Sequence, residues 1–132
     1  MITISKDKSK LQIELVHQFL TQSYWAKGRT LAQVQTTIDN CLCFGVYENN
    51  AQIGFGRVAT DYAVFAYIMD IFILPEHQGK GYSKQLMKAI VNAKELKDCK
   101  TWMLKTSDAH GLYQQFGFTA LKKSDIVMER IL

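Results

Sequence analysis

Proline is nearly absent from this sequence: Pro75 is the single one in 132 residues, and glycine supplies only eight. That excludes collagen-like and Pro/Gly-rich low-complexity chains, and 48% hydrophobic with 11% aromatic residues excludes a disordered one. No stretch reaches the roughly 18 uninterrupted apolar residues of a membrane span, and Asp70 breaks the longest central run. The start, Met1-Ile2-Thr3-Ile4-Ser5-Lys6-Asp7, lacks the charged-then-apolar order of an export signal, so a cytoplasmic protein without membrane contact is expected. Cysteines are few and odd in number: Cys41, Cys43 and Cys99. They supply neither a disulfide framework nor the paired spacing of a metal site, and no metal is expected.

What is present suffices for one domain over residues 1–132, with about two-thirds of the unfolded chain's surface buried on folding. The net charge is +4, but its distribution is uneven. Residues 77–105 hold seven lysines (80, 84, 88, 94, 97, 100, 105) against Glu95 and Asp98, and no acid lies between His77 and Lys94. This local excess suits an anionic ligand or is a solvated helix face. Nucleic acid is not expected as a partner, because the lysines are not interleaved with aromatics.

Helical spacing of Leu11, Leu15, Val16 and Phe19 predicts a helix over 9–22. Thr30 followed three residues on by Gln33 is a capping box that opens a second helix along Leu31, Val34 and Ile38. Strands are expected near 2–5, over 41–47 and 52–60 as a hairpin across Glu48-Asn49-Asn50-Ala51, and over 65–74, apolar on both faces and ended by Pro75. A helix over 81–96, a strand over 101–105, a short helix over 109–115 closed by Gly117, and one or two strands in 119–131 complete the order. Strands and helices are mixed around one sheet, with a strand–helix–strand crossover in the second half.

The turn Gln78-Gly79-Lys80-Gly81 joins the central strand to the lysine-rich helix. Glycines permit backbone approach to a ligand, and the following helix start presents unpaired N–H groups and partial positive charge. A Walker loop does not fit, since Gly81 follows Lys80. Gly54-Phe55-Gly56-Arg57-Val58-Ala59 spells a G-x-G-x-x-A string but lies inside a strand with no helix after it. The turn alone reads as a phosphate cradle or as an ordinary strand-to-helix connection.

Gln78-Gly79-Lys80-Gly81-Tyr82-Ser83 resembles the [Q/R]-x-x-G-x-[G/A] signature of the GNAT N-acetyltransferases, with Ser83 departing at the last position. Ala109-x-x-x-Tyr113-x-x-x-Gly117-Phe118 resembles the family's second signature without departure. The resemblance covers nearly the whole chain. It implies an α/β (α+β) fold: a mixed, mostly antiparallel sheet of six to seven strands with a splayed central parallel pair, flanked by about four helices. It implies acetyl-CoA as co-substrate and acetyl transfer to a primary amine of a small molecule or peptide. A non-catalytic acyl-CoA-binding sensor of the same fold is the alternative, and a homodimer is open. By the same resemblance, backbone groups of Ile71, Phe72 and Ile73 meet the pantetheine arm, with an N–H near Phe72 as oxyanion donor. Backbone N–H groups of Gln78, Gly79, Lys80, Gly81, Tyr82 and Ser83 cradle the diphosphate, and His110 contacts the cofactor. Thr106 stands where many relatives carry Asn.

The resemblance places Tyr113 beside the cofactor sulfur, which makes it the candidate acid for the leaving thiolate, a phenol near pKa ~10 against a thiol near ~8.5; otherwise it is a core tyrosine. Asp70, the single charge between Val64 and Leu74, is the candidate base if burial without a partner raises its pKa, or else a structural carboxylate. Asp61 and Tyr62 are weaker alternatives. The resemblance implies that the loop between the first two helices binds the acceptor, and Tyr24, Trp25 and Arg29 suit that role: aromatic faces for an alkyl amine or cation, the guanidinium for a carboxylate. Alternatively, Tyr24 and Trp25 cap the core.

Overall fold

The computed structural model describes residues 1–132. Five strands form one sheet in the order β1 (Thr3–Ser5), β2 (Leu42–Glu48), β3 (Ala51–Thr60), β4 (Phe65–Ile73) and β5 (Thr101–Leu104). The first four are antiparallel neighbours, and β5 runs parallel to β4. Helices α1 (Ile13–Gln22) and α2 (Leu31–Asn40) pack on one face, and α3 (Tyr82–Val91) with the short α4 (His110–Gln114) on the other. No helix is long and apolar enough to cross a membrane.

Burial on both faces explains the near-continuous apolar strands. In β2, Leu42, Phe44 and Val46 face α3, meeting Leu86, Met87 and Ile90, while Cys41 and Cys43 beside them face Val16, Leu20, Val34 and Ile38. The capping box forms as expected: Gln33 N–H donates to Thr30 Oγ1 at 3.1 Å, and the Thr30 N–H to Gln33 Oε1 at 2.9 Å. Asn49 and Asn50, at φ +52° and +68°, make the two-residue hairpin turn between β2 and β3.

Three expectations are corrected. The sheet has five strands rather than six to seven. No strand forms in 119–131, where Lys122-Lys123-Ser124-Asp125 interrupts the alternation and a 3-10 turn at Ser124–Ile126 takes its place. Beyond Phe118 the tail's backbone N–H groups bond only locally, Ile126 to Lys123 and Val127 to Ser124, leaving the outer edge of β5 unpaired. Helix α3 also stops at Val91 rather than 96, because the Asn92 amide turns back to the Lys88 carbonyl at 2.9 Å and Lys94–Leu96 continues as a 3-10 turn.

Candidate active site

Strands β4 and β5 pair from Phe65↔Thr101 to Ile68↔Leu104 and then part. Met69–Ile73 runs on without a β5 partner, and the opening becomes a cleft of about 680 Å³ between residues 68–71 and 104–109. Tyr24, Trp25, Arg29, Tyr67, Asp70 and Tyr113 all line it. The fold therefore brings the expected acid, base and acceptor-binding residues to one place.

A β-bulge aims Asp70. Pairing with β3 slips between Phe55↔Phe72 and Arg57↔Met69, so Asp70 and Ile71 together oppose Gly56. Ala66 and Ile68 pack on the α3 side, and plain alternation would send Asp70 after them. Instead Asp70 adopts φ +58°, and the next core residue, Phe72, packs on the α1–α2 side against Phe19. A Cβ on Gly56 would lie 2.7 Å from Ile71 Cδ1, so the Ile71 side chain packs over the glycine opposite the bulge.

The expectation of an unpartnered carboxylate at Asp70 is corrected. Oδ2 accepts from Arg29 Nη1 at 2.7 Å and from Arg57 Nε at 2.8 Å, and Oδ1 accepts from Trp25 Nε1 at 3.3 Å. The Asp70 side chain is 1% exposed, Arg57 6% and Arg29 18%. For Arg57, burial alone would lower the pKa, but the Asp70 charge and the hydrogen bonds that Arg57 donates to Asp70 and Cys41 outweigh it and hold it above its ordinary value. Sequence reasoning missed Arg57 as a site residue. Its signal was available: it is the single charge of β3, as Asp70 is of β4.

The glycine turn carries the other half of the site. Gly79 and Gly81 both sit at φ +80°, a conformation glycine adopts without strain. No protein group accepts the backbone N–H of Gly79, Lys80, Gly81, Tyr82, Ser83 or Lys84. Six consecutive free donors ahead of a helix, with exposed Lys80 and Lys84 beside them, fit a diphosphate. Gln78 differs from the expectation: its N–H goes to the Pro75 carbonyl at 3.3 Å and its side-chain amide to the Ile73 carbonyl at 2.9 Å. It braces the turn rather than lining it. The Tyr82 hydroxyl anchors the same turn by donating to Glu48 Oε2 at 2.9 Å, which raises its pKa.

Tyr113 is buried and lines the cleft, and its hydroxyl has no hydrogen-bond partner within the protein. Burial, with smaller effects from Asp108 and Tyr24, raises its pKa and keeps the phenol protonated. Thr106 Oγ1 accepts from the N–H groups of Ala109 and Asp108, so it holds the turn that leads into α4. His110, exposed at the start of α4, faces a neighbouring cavity that shares Tyr113 with the cleft. The Tyr24 hydroxyl meets Ser107 Oγ at 2.7 Å, bridging the α1–α2 loop to the segment after β5. Asp61 and Tyr62 precede β4, away from the cleft at its far end; Asp61 Oδ1 accepts from the N–H groups of residues 63, 64 and 65.

Residues 39–120, more than half of the chain, match the family model of the acetyltransferase (GNAT) domain. The chain belongs to the GNAT acetyltransferase family. A crystal structure of a GNAT-family protein from Xanthomonas campestris pv. campestris is similar with a TM-score of 0.97 and 47% identity, over 100% of this chain and 94% of that one. The Gracilaria tenuistipitata var. liui protein named as the uncharacterised N-acetyltransferase ycf52 is 33% identical over 71% of this chain and 54% of its own length. A Clostridium acetobutylicum protein described as a predicted acetyltransferase and solved with acetyl-CoA shares the fold, with a TM-score of 0.74 and 16% identity, over 99% of this chain and 96% of that one. The chain spans 48%, 54% and 62% of the length of three curated relatives that it matches. This GNAT chain thus combines a five-stranded sheet with an arginine-flanked Asp70.

Proposed function

We propose that this GNAT protein transfers an acetyl group from acetyl-CoA directly to a primary amine of a small molecule or peptide. The observation that carries the reading is the unpaired Tyr113 hydroxyl in the cleft that opens where β4 leaves β5, beside a turn with six free N–H groups. The Clostridium acetobutylicum neighbour's acetyl-CoA supports the choice of co-substrate.

Acetyl-CoA supplies an activated thioester, from which the amine nitrogen takes the acetyl carbon as the carbon–sulfur bond breaks. The backbone N–H groups of Gly79 through Lys84 hold the diphosphate, and Lys80 and Lys84 add charge. The free edge of β4 at Ile71, Phe72 and Ile73 aligns the pantetheine arm, with an N–H near Phe72 facing the acetyl oxygen. Tyr113 gives its phenolic proton to the departing sulfur. Asp70 serves as a positioning residue, fixing Trp25 and Arg29 on the acceptor wall through its hydrogen bonds. The amine's proton leaves to water in the open cleft, and Tyr113 regains its own from the same source.

Calorimetric titration with acetyl-CoA and thiol release across a panel of amines test the reading. Saturable cofactor binding with thiol release from at least one amine is expected. Indifference to acetyl-CoA at millimolar concentration overturns it; tight cofactor binding without turnover on any amine favours an acyl-CoA sensor.

A further inference from the structure

Arg29 stands between two cavities. One is the cleft of Asp70 and Tyr113. The other, of about 740 Å³, lies behind the 23–29 loop and is lined by Lys27, Arg29 and Arg57 with Gln33, Thr36 and Thr37, and by no acid. Most of the polar groups in this second cavity are occupied locally. Gln33 caps α2, and the Thr36 and Thr37 hydroxyls donate to the carbonyls of Ala32 and Val34. The cations remain.

Their charge is not balanced. Arg29, Arg57 and Asp70 form one hydrogen-bonded cluster of two guanidiniums and a single carboxylate. An ion pair this deep is tolerated because its members satisfy one another, and a surplus charge beside it is costly until a counter-ion arrives. Arg57 spends Nε on Asp70 and Nη1 on Cys41 Sγ at 3.4 Å. Arg29 spends Nη1 on Asp70, and that is its side chain's one hydrogen bond. Its other donors are unpartnered in a side chain 18% exposed, at a wall of the cleft. A guanidinium with one edge pinned presents the rest of its planar fork to an oxyanion in a fixed direction. On the opposite wall, Lys105 is paired with Glu129 at 3.2 Å, and Asp108 forms no ion pair.

We infer that the acceptor is an amine bearing an oxyanion, a carboxylate or a phosphate, and that Arg29 is the residue that selects it. Asp70 orients Arg29, and Arg57 leaves the cluster one positive charge in excess. The acceptor's anion lies against Arg29, while its amine extends along the cleft toward Tyr113. The inference rests on the amine-acetylation reading and narrows it from amines in general to anionic ones. Hydrogen bonds to charged groups contribute about 1.5–3 kcal/mol, so selection of roughly ten- to a hundred-fold over the neutral counterpart is expected.

Two measurements test it. In the first, N-acetylglycine and the neutral N-acetylglycinamide are titrated into the 15N-labelled protein, and the Trp25 indole N–H resonance is followed. The chain has two tryptophans, so Trp25→Phe identifies that signal. The acid is expected to move the resonance at concentrations at least ten-fold below the amide. Arg29→Gln should abolish the difference, and Arg29→Lys, which keeps the charge and loses the fork, should retain part of it. In the second, kcat/KM is compared for glycine against glycinamide and for O-phosphoethanolamine against ethanolamine; whichever pair shows the larger ratio identifies the oxyanion. Acid and amide that act alike on Trp25, or that both leave it unmoved at about 50 mM, overturn the inference. A preference that survives Arg29→Gln in a protein still folded by circular dichroism overturns it as well. A protein that releases no thiol with any amine defeats the acetylation reading instead, and the Trp25 titration, which needs no cofactor, still decides the role of Arg29.

Discussion

Asp70 Oδ2 lies 2.8 Å from Arg57 Nε across two adjacent antiparallel strands, and each is the single charged residue of its strand. Their value to the fold lies in the pairing, since both side chains are almost fully buried. Asp70→Ala leaves the Arg57 guanidinium without its main counter-charge. A loss of about 3–5 kcal/mol in the unfolding free energy is expected, measured by urea titration. Replacing the pair together, Asp70→Leu with Arg57→Met, should recover most of that loss, because two desolvation penalties disappear at once. A single-variant loss below about 1 kcal/mol would place Asp70 among ordinary surface ion pairs.

Tyr113 and the cofactor cradle are separable. Tyr113→Phe removes a hydroxyl that bonds to nothing in the protein, so folding and acetyl-CoA affinity should change less than about three-fold, while kcat falls ten-fold or more. The pH dependence has a defined sign. Burial raises the Tyr113 pKa, so the proton-donating form persists through neutral pH and is lost only as pH climbs past the ordinary phenol value of ~10. Rates across pH 6 to 9 should therefore show no falling limb from this group. Equal turnover in Tyr113→Phe removes the acid role.

Local signals in the sequence carried to the structure, and non-local ones did not. Thr30 and Gln33, the Asn49-Asn50 turn and the glycine pair before α3 are each decided within a few residues, and each forms where the sequence puts it. Asp70 was legible as an isolated charge but not as a partner. Its bulge depends on the register of β3 against β4, and its three donors come from positions 13 to 45 residues away. The tail shows the converse. Residues 119–131 alternate enough to read as one or two strands, yet alternation yields a strand only when a neighbouring strand accepts the backbone, and the N–H groups there bond only within the tail.

The glycines at 79 and 81 are required by dihedral angle rather than by crowding. A Cβ at either position meets no protein atom within 4 Å, but φ of +80° disfavours any L side chain by roughly 1–2 kcal/mol. Gly81→Ala is expected to relax the turn toward negative φ and turn its N–H groups away from their common focus. Acetyl-CoA affinity should fall by about ten-fold, read by calorimetry, with the melting temperature lowered by only a few degrees. Unchanged affinity would mean that the diphosphate is held by Lys80 and Lys84 rather than by backbone.

All three cysteines are buried and unpaired, and Cys43 gives an alkaline signature. Burial pushes its thiol up from 9.0 to about 12. Below about pH 8 both folded and unfolded chains keep this proton, so Cys43 adds no pH dependence there. Between about pH 9 and 12 the unfolded chain releases it while the folded chain retains it, so stability must fall as pH rises. Tyr47 and Tyr113 are shifted in the same direction and add to the decline above about pH 10. Comparing urea midpoints of the native protein and Cys43→Ala at about pH 8 and pH 10 isolates the thiol: the variant is less stable at both but loses less between them. A thiol reagent at neutral pH should find no reactive cysteine in the native protein and three after unfolding. A prompt native reaction at Cys43, or an identical pH slope in the variant, would contradict its burial beneath α1 and α2.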